Sequence, residues 1–185
     1  MTEIRFHGRG GQGTVVASVL LAKAFFNSDY YVQTFPSFGV ERRGAPVEAY
    51  LRLDNKKILI RSNVYTPDHV VIQDKKLLLL ETLDVTKGLK QGGIILINSN
   101  EFPENMESYK DYKIAIVDAS EIARKHKLGT RTHPIINTAM LGAFSKAFNM
   151  PLMQHIATAI KDEIKTKTDA NIKAAEDAFN MVRLN

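Results

Sequence analysis

Apolar positions along this chain follow two periods, one suited to strands and one to helices. Ile4 to Ala17 reads as a strand, a glycine-rich turn and the start of a helix. The helix is expected over Thr14 to Phe26. Val15, Val19 and Ala22 lie on one stripe, with Val16, Leu20 and Lys23 on the next. Apolar residues on most of its faces predict cover from more than one side. Asn27-Ser28-Asp29 ends it. Tyr30 to Phe35 is β-branched and aromatic, a second strand stopped by Pro36. Val47, Ala49, Leu51 and Leu53 alternate, and an apolar run from Lys57 to Ile60 follows the turn Asp54-Asn55-Lys56. That pattern predicts a β-hairpin.

Further strands are expected at His69 to Gln73, Ile94 to Asn98 and Lys113 to Val117. Asp74 to Leu83 reads as helical. Asp118 opens a helix over Ala119 to Lys127, as an N-cap or as a ligand contact. Three more helices run over about Ile136 to Phe148, Pro151 to Ile164 and Asp169 to Val182. Asn137 and Thr138, at the start of the first of these, read either as capping residues or as ligand contacts. The expected fold is a single α/β domain over residues 1–185. It has a mostly parallel sheet flanked by helices, with a β-hairpin adding antiparallel edge strands.

The first candidate site is the turn His7-Gly8-Arg9-Gly10-Gly11-Gln12-Gly13. Gly8, Gly10 and Gly13 fit G-x-G-x-x-G between a strand and an apolar helix. A glycine turn at a helix start gathers free N–H groups at the positive end of the helix dipole, which suits an anion such as phosphate. Arg9 adds a fixed charge, and Gln12 adds a donor and an acceptor. The competing reading is a tight turn whose glycines only let strand and helix pack. A dinucleotide site calls for an acidic residue at the end of the second strand. Gln33, Thr34 and Phe35 stand there instead, which counts against a standard NAD site.

The second candidate is the loop Ser37-Phe38-Gly39-Val40-Glu41-Arg42-Arg43-Gly44-Ala45-Pro46. It follows the C-terminal end of a strand, where open α/β sheets keep their sites. Glu41, Arg42 and Arg43 read as a second anion-binding or subunit-contact loop, or as an ordinary surface ion pair of little energetic weight.

Composition narrows the chemistry. The sequence contains no cysteine, so this chain offers no disulfide, no thiolate zinc site, no cysteine nucleophile and no cysteine-held iron–sulfur cluster. Its five histidines are scattered, and no metal site is expected. The net charge of +5 favours anionic ligands or acidic partners. No nucleic-acid module is recognisable. No apolar run approaches the roughly 20 residues of a membrane span, and nothing resembles a signal peptide. The chain is expected to be cytoplasmic, with no membrane or nucleic-acid partner.

His7-Gly8-Arg9-Gly10-Gly11-Gln12-Gly13 followed by Ser37-Phe38-Gly39-Val40-Glu41-Arg42-Arg43-Gly44 resembles the γ subunits of the 2-oxoacid:ferredoxin oxidoreductases. Pyruvate:ferredoxin oxidoreductase, or pyruvate synthase, is the best-known enzyme of this family. Asn137-Thr138-Ala139-Met140-Leu141-Gly142-Ala143 fits the same pattern, and Ala45 departs from it where a second glycine is expected. The resemblance implies a subunit that is not catalytic alone. The enzyme would oxidatively decarboxylate a 2-oxoacid, pyruvate by default, with coenzyme A to acyl-CoA, CO2 and reduced ferredoxin. Thiamine diphosphate with Mg²⁺ and [4Fe–4S] clusters would sit on α, β and δ partners, consistent with a chain that lacks cysteine. Gly8, Arg9, Gly10, Gly11, Gln12, Gly13, Glu41, Arg42 and Arg43 are then candidates for holding coenzyme A. Two alternatives stay open on the residues: an independent nucleotide-binding oxidoreductase, and a non-enzymatic nucleotide-sensing module.

Overall fold

The structure is a computed structural model and describes residues 1–37 and 44–185. Seven strands form one sheet in the order β2-β3-β1-β4-β5-β6-β7. These are β1 (Thr2–Arg9), β2 (Tyr31–Ser37), β3 (Pro46–Asp54), β4 (His69–Ile72), β5 (Ile94–Asn98), β6 (Lys113–Val117) and β7 (Arg183–Leu184). The four strands β1, β4, β5 and β6 run parallel, while β3 pairs antiparallel to β1, β2 to β3, and β7 to β6. The helices are α1 (Thr14–Phe26), α2 (Ala119–Lys125), α3 (Asn137–Phe148), α4 (Met153–Glu163) and α5 (Thr168–Met181). The α/β expectation holds.

The two faces of the sheet differ. One apolar cluster joins Ile4 and Phe6 of β1 and Ala49, Leu51 and Leu53 of β3 to buried residues of all five α-helices. The other draws on no α-helix. It packs Val70, Ile72, Ile95, Ile97, Ile114 and Ile116 under Leu77, Val85 and Leu89 of the connecting segments. Strand alternation puts the polar residues of β1 and β3 on this second face. Arg5, His7 and Arg52 are buried there. Arg52 pairs with Glu3 (Nε–Oε1, 2.7 Å) and donates to Gln33 Oε1 (2.9 Å).

Three expectations change. The hairpin is not Val47–Leu53 with Lys57–Ile60: β3 pairs with β2, and residues 57–60 belong to no strand. Alternation sets which side of β3 faces the core but leaves its neighbour open. Asp74 to Leu83 contains only a short 3₁₀ helix, Lys75–Leu79. Pro36 lies within β2 rather than after it, which an edge strand tolerates.

α3 and α5 meet through small residues. A Cβ on Gly142 would collide with the carbonyl of Ala175, so the two helices touch backbone to backbone. Thr138 Oγ1 donates to Asn171 Oδ1 (2.9 Å) in the same buried seam. Among the described residues, no helix is long and apolar enough to cross a membrane.

Candidate functional site

The chain leaves β1 through α1 toward β2 on one side of the sheet, and β4 lies on the other side of β1. This topological switch is where open α/β sheets bind ligands. The glycine turn sits at that point. Gly13 adopts φ 75° and ψ 29° immediately before α1, and among the described residues no side chain caps the helix. Gly11 also has positive φ, 91°. The first hydrogen bond of α1 runs from Ala17 N to Gly13 O (2.9 Å). The N–H groups of Thr14, Val15 and Val16 therefore have no backbone acceptor among the described residues. They point out of the first turn, at the positive end of the dipole. Val16 is 47% exposed, so this end of the helix opens to solvent.

Beneath the turn, side chains fix its shape. Arg9 N donates to Gln12 Oε1 (2.8 Å) and Gln12 N to Arg9 O (3.0 Å). Arg9 Nε pairs with Asp74 Oδ2 at 2.7 Å, and Arg9 Nη1 donates to Gly44 O at 3.1 Å. Arg9 and Gln12 thus brace the turn. Arg9 is half-buried and keeps guanidinium hydrogens beyond those used in these contacts. Gly8 has no room for a side chain. A Cβ there would collide with Thr14 Oγ1 and stand 2.9 Å from Gln73 Oε1. Thr14 Oγ1 donates to that same Gln73 oxygen (2.7 Å), joining α1 to the end of β4. Gln73 Nε2 is buried without a partner among the described residues. Asn98 Nδ2, at the end of β5, donates to Gln73 O (3.0 Å). Asn137 is buried beside Gly13, with its Nδ2 3.4 Å from where a Gly13 Cβ would lie.

The two glycine motifs meet. Gly10 N donates to Ala45 O (2.9 Å) and Gly44 N to Gly10 O (3.2 Å). The backbone approaches closely at Ala45 despite its methyl group. Glu41, Arg42 and Arg43 lie outside the described residues. Of the described neighbours, Ser37 pairs with Glu48, and Gly44 is bonded to the turn.

His7 precedes the turn on the second face of the sheet. Its Nε2 accepts from Arg5 Nε (2.9 Å), so the ring proton belongs on Nδ1, 3.5 Å from Glu48 Oε1. Burial, reinforced by the Arg5 charge, pulls its pKa down to about 3. His7 is a neutral structural histidine.

Asp118 is an N-cap, accepting from Glu121 N (2.8 Å). Thr138 is buried and ties α3 to α5 through Asn171. Sequence reasoning overlooked Asp74, Gln73 and Asn98. Their signal was polar residues at or directly after the ends of two apolar strands, at the carboxyl edge of a parallel sheet. The end of β2 is separated from β1 by β3, so the acidic residue of a dinucleotide site has no counterpart position beside this turn.

Fold and turn together define an open α/β subunit with a glycine-led, uncapped helix start at its switch point. Residues 3–181 match the family described as pyruvate ferredoxin/flavodoxin oxidoreductase. The chain is 48% identical over its full length to the "Pyruvate/ketoisovalerate oxidoreductases common subunit gamma" of Pyrococcus abyssi, covering 98% of that protein. It is 47% identical to "Pyruvate synthase subunit PorC" of Methanocaldococcus jannaschii, over 97% of this chain and 96% of the relative. The crystal structure of the PORC subunit of Thermotoga maritima pyruvate oxidoreductase superposes with a TM-score of 0.83 at 33% identity, covering 100% of this chain and 98% of that one. The fold recurs with a TM-score of 0.71 and 20% identity as 30% of a chain of Magnetococcus marinus 2-oxoglutarate:ferredoxin oxidoreductase; the match covers 97% of the present chain, and that structure holds 2-oxoglutarate, coenzyme A and succinyl-CoA. The chain belongs to the pyruvate ferredoxin/flavodoxin oxidoreductase family, as the γ subunit of a multi-subunit 2-oxoacid:ferredoxin oxidoreductase of the pyruvate synthase type.

Proposed function

We propose that this γ subunit presents coenzyme A to an oxidoreductase whose redox chemistry lies on other chains. The reaction converts a 2-oxoacid, pyruvate first, with coenzyme A into acyl-CoA, CO2 and reduced ferredoxin in the cytoplasm. Thiamine diphosphate with Mg²⁺ and the [4Fe–4S] clusters belong to α, β and δ partners. The described residues bring together no group of three or more His, Cys, Asp or Glu side chains fit for a metal, and the sequence has no cysteine. The oxoacid is selected elsewhere too. The Pyrococcus abyssi and Thermococcus kodakarensis relatives are named as common to pyruvate and ketoisovalerate enzymes, which suits a subunit that serves the shared co-substrate.

One observation carries the coenzyme A reading. Among the described residues, the α1 start has unbonded N–H groups at residues 14–16 and no side-chain cap; beside it Arg9 is braced, and the helix start opens to solvent at the switch point. Phosphate groups match such donors through charge-assisted hydrogen bonds. Arg42 and Arg43 add charge for the same ligand.

Equilibrium binding of coenzyme A to the assembled enzyme tests this. Arg9→Ala combined with Arg42→Ala is expected to weaken binding at least tenfold. Unchanged affinity in that variant would assign both arginines to subunit contacts.

A further inference from the structure

Residues 55–66 form most of the connection from β3 to β4, before Pro67 and Asp68 bond to the rest of the fold; Lys57 to Ile60 has the sequence of a strand, yet the segment joins no ladder. It makes no backbone–backbone hydrogen bond among the described residues. Three contacts hold it against the sheet. Ile60 O accepts from Gln33 Nε2 (2.8 Å), Asn63 O accepts from Arg52 Nη2 (3.3 Å), and Val64 is buried. On either side of these anchors, large apolar side chains face solvent: Leu59 is 77% exposed and Tyr65 72%. Lys56, Lys57 and Arg61 are exposed beside them and form no ion pair among the described residues.

Unpaired backbone, exposed apolar side chains and uncompensated positive charge in one anchored segment describe half of an interface. Strand-coding sequence with free N–H and C=O groups pairs readily with another extended chain. A second copy of this chain would set Lys56, Lys57 and Arg61 against like charges, which is unfavourable across a strand pair. The chain as a whole carries +5. The geometry points to residues 55–66 as an assembly segment that receives an extended acidic stretch of another subunit of the oxidoreductase. This rests on the chain being a γ subunit and is independent of where coenzyme A binds.

Hydrogen–deuterium exchange tests it on the full chain alone and in the complex purified with its native subunits. Amides of residues 55–66 are expected to exchange fast in the free chain and at least tenfold more slowly in the complex. The variant Lys56→Glu, Lys57→Glu, Arg61→Glu should dissociate at a salt concentration that wild type withstands, with an unchanged melting curve for the free chain. Equal exchange in both states overturns the inference, with the γ-subunit assignment intact. Protection that appears in the free chain as its concentration rises also overturns it, in favour of self-association. Absence of any co-purifying subunit overturns both the inference and the assignment.

Discussion

Arg9 Nε stands 2.7 Å from Asp74 Oδ2, tying the glycine turn after β1 to the residue that opens the 3₁₀ helix after β4. The other Asp74 oxygen caps that helix by accepting from Lys76 N (2.9 Å). One carboxylate thus holds two loops of the switch point. Asp74→Ala removes both contacts and should cost about 2 kcal/mol in urea unfolding. Asp74→Asn keeps the cap, loses the charge and should cost about half as much. Coenzyme A affinity should separate the pair's members. It falls in Arg9→Ala and does not fall in Asp74→Asn, where the arginine charge is no longer neutralised.

Gly8 is required for space. Gly8→Ala drives a methyl group into Thr14 Oγ1 and crowds Gln73 Oε1, and should destabilise by about 2–3 kcal/mol. Adding Thr14→Ala removes the hardest of these contacts. The double variant should therefore be less destabilised than the sum of the two single changes, measured as a coupling in a double-mutant cycle.

His7 makes stability depend on pH in a definite direction. Its ordinary pKa is 6.5 and its folded value is about 3, lowered first by burial and then by Arg5. The unfolded chain takes up the proton that the folded chain refuses. The contribution of His7 is thus complete above about pH 6.5 and falls away as pH drops toward 3, by up to about 1.4 kcal/mol per pH unit. The stability difference between wild type and His7→Gln should shrink on acidification from pH 7 to pH 4. A difference that stays constant would mean that His7 titrates normally in the folded protein.

Gly142 sets the approach of α3 to α5. A methyl group there meets the Ala175 backbone, which cannot rotate away as a side chain can. Gly142→Ala should cost about 3 kcal/mol despite its better helix propensity, read from thermal unfolding.

Much of the scaffold was legible because its signals were local. Thr14 to Phe26 is the helix that the apolar stripes require, bounded by Gly13 and Asn27. The strands at Ile94–Asn98 and Lys113–Val117 are short, apolar and framed by turns. Asp118 showed its capping role through its position before Ala119. What stayed hidden was non-local. β3 could have paired with either neighbouring stretch, since both present apolar residues at strand spacing, and its partner came from before the arginine loop. The two-residue strand Arg183–Leu184 is exposed and has no pattern to detect. Within the site, the glycines stood out by their type. Asp74 and Gln73 did not, because their role comes from register: β4 lies beside β1 and brings Gln73 N to His7 O at 2.8 Å.

The central claim is that the α1 start receives the phosphates of coenzyme A, and Val16→Glu tests it most directly. Val16 is exposed in the first turn, so a carboxylate there suits the helix dipole and should leave stability unchanged or raise it by about 0.5 kcal/mol. The same carboxylate repels an anion approaching the Thr14–Val16 amides. Titration of the assembled enzyme with coenzyme A should show affinity reduced about tenfold or more, with a melting temperature equal to or above wild type. Wild-type affinity in that variant would contradict the claim and leave the turn as a packing device.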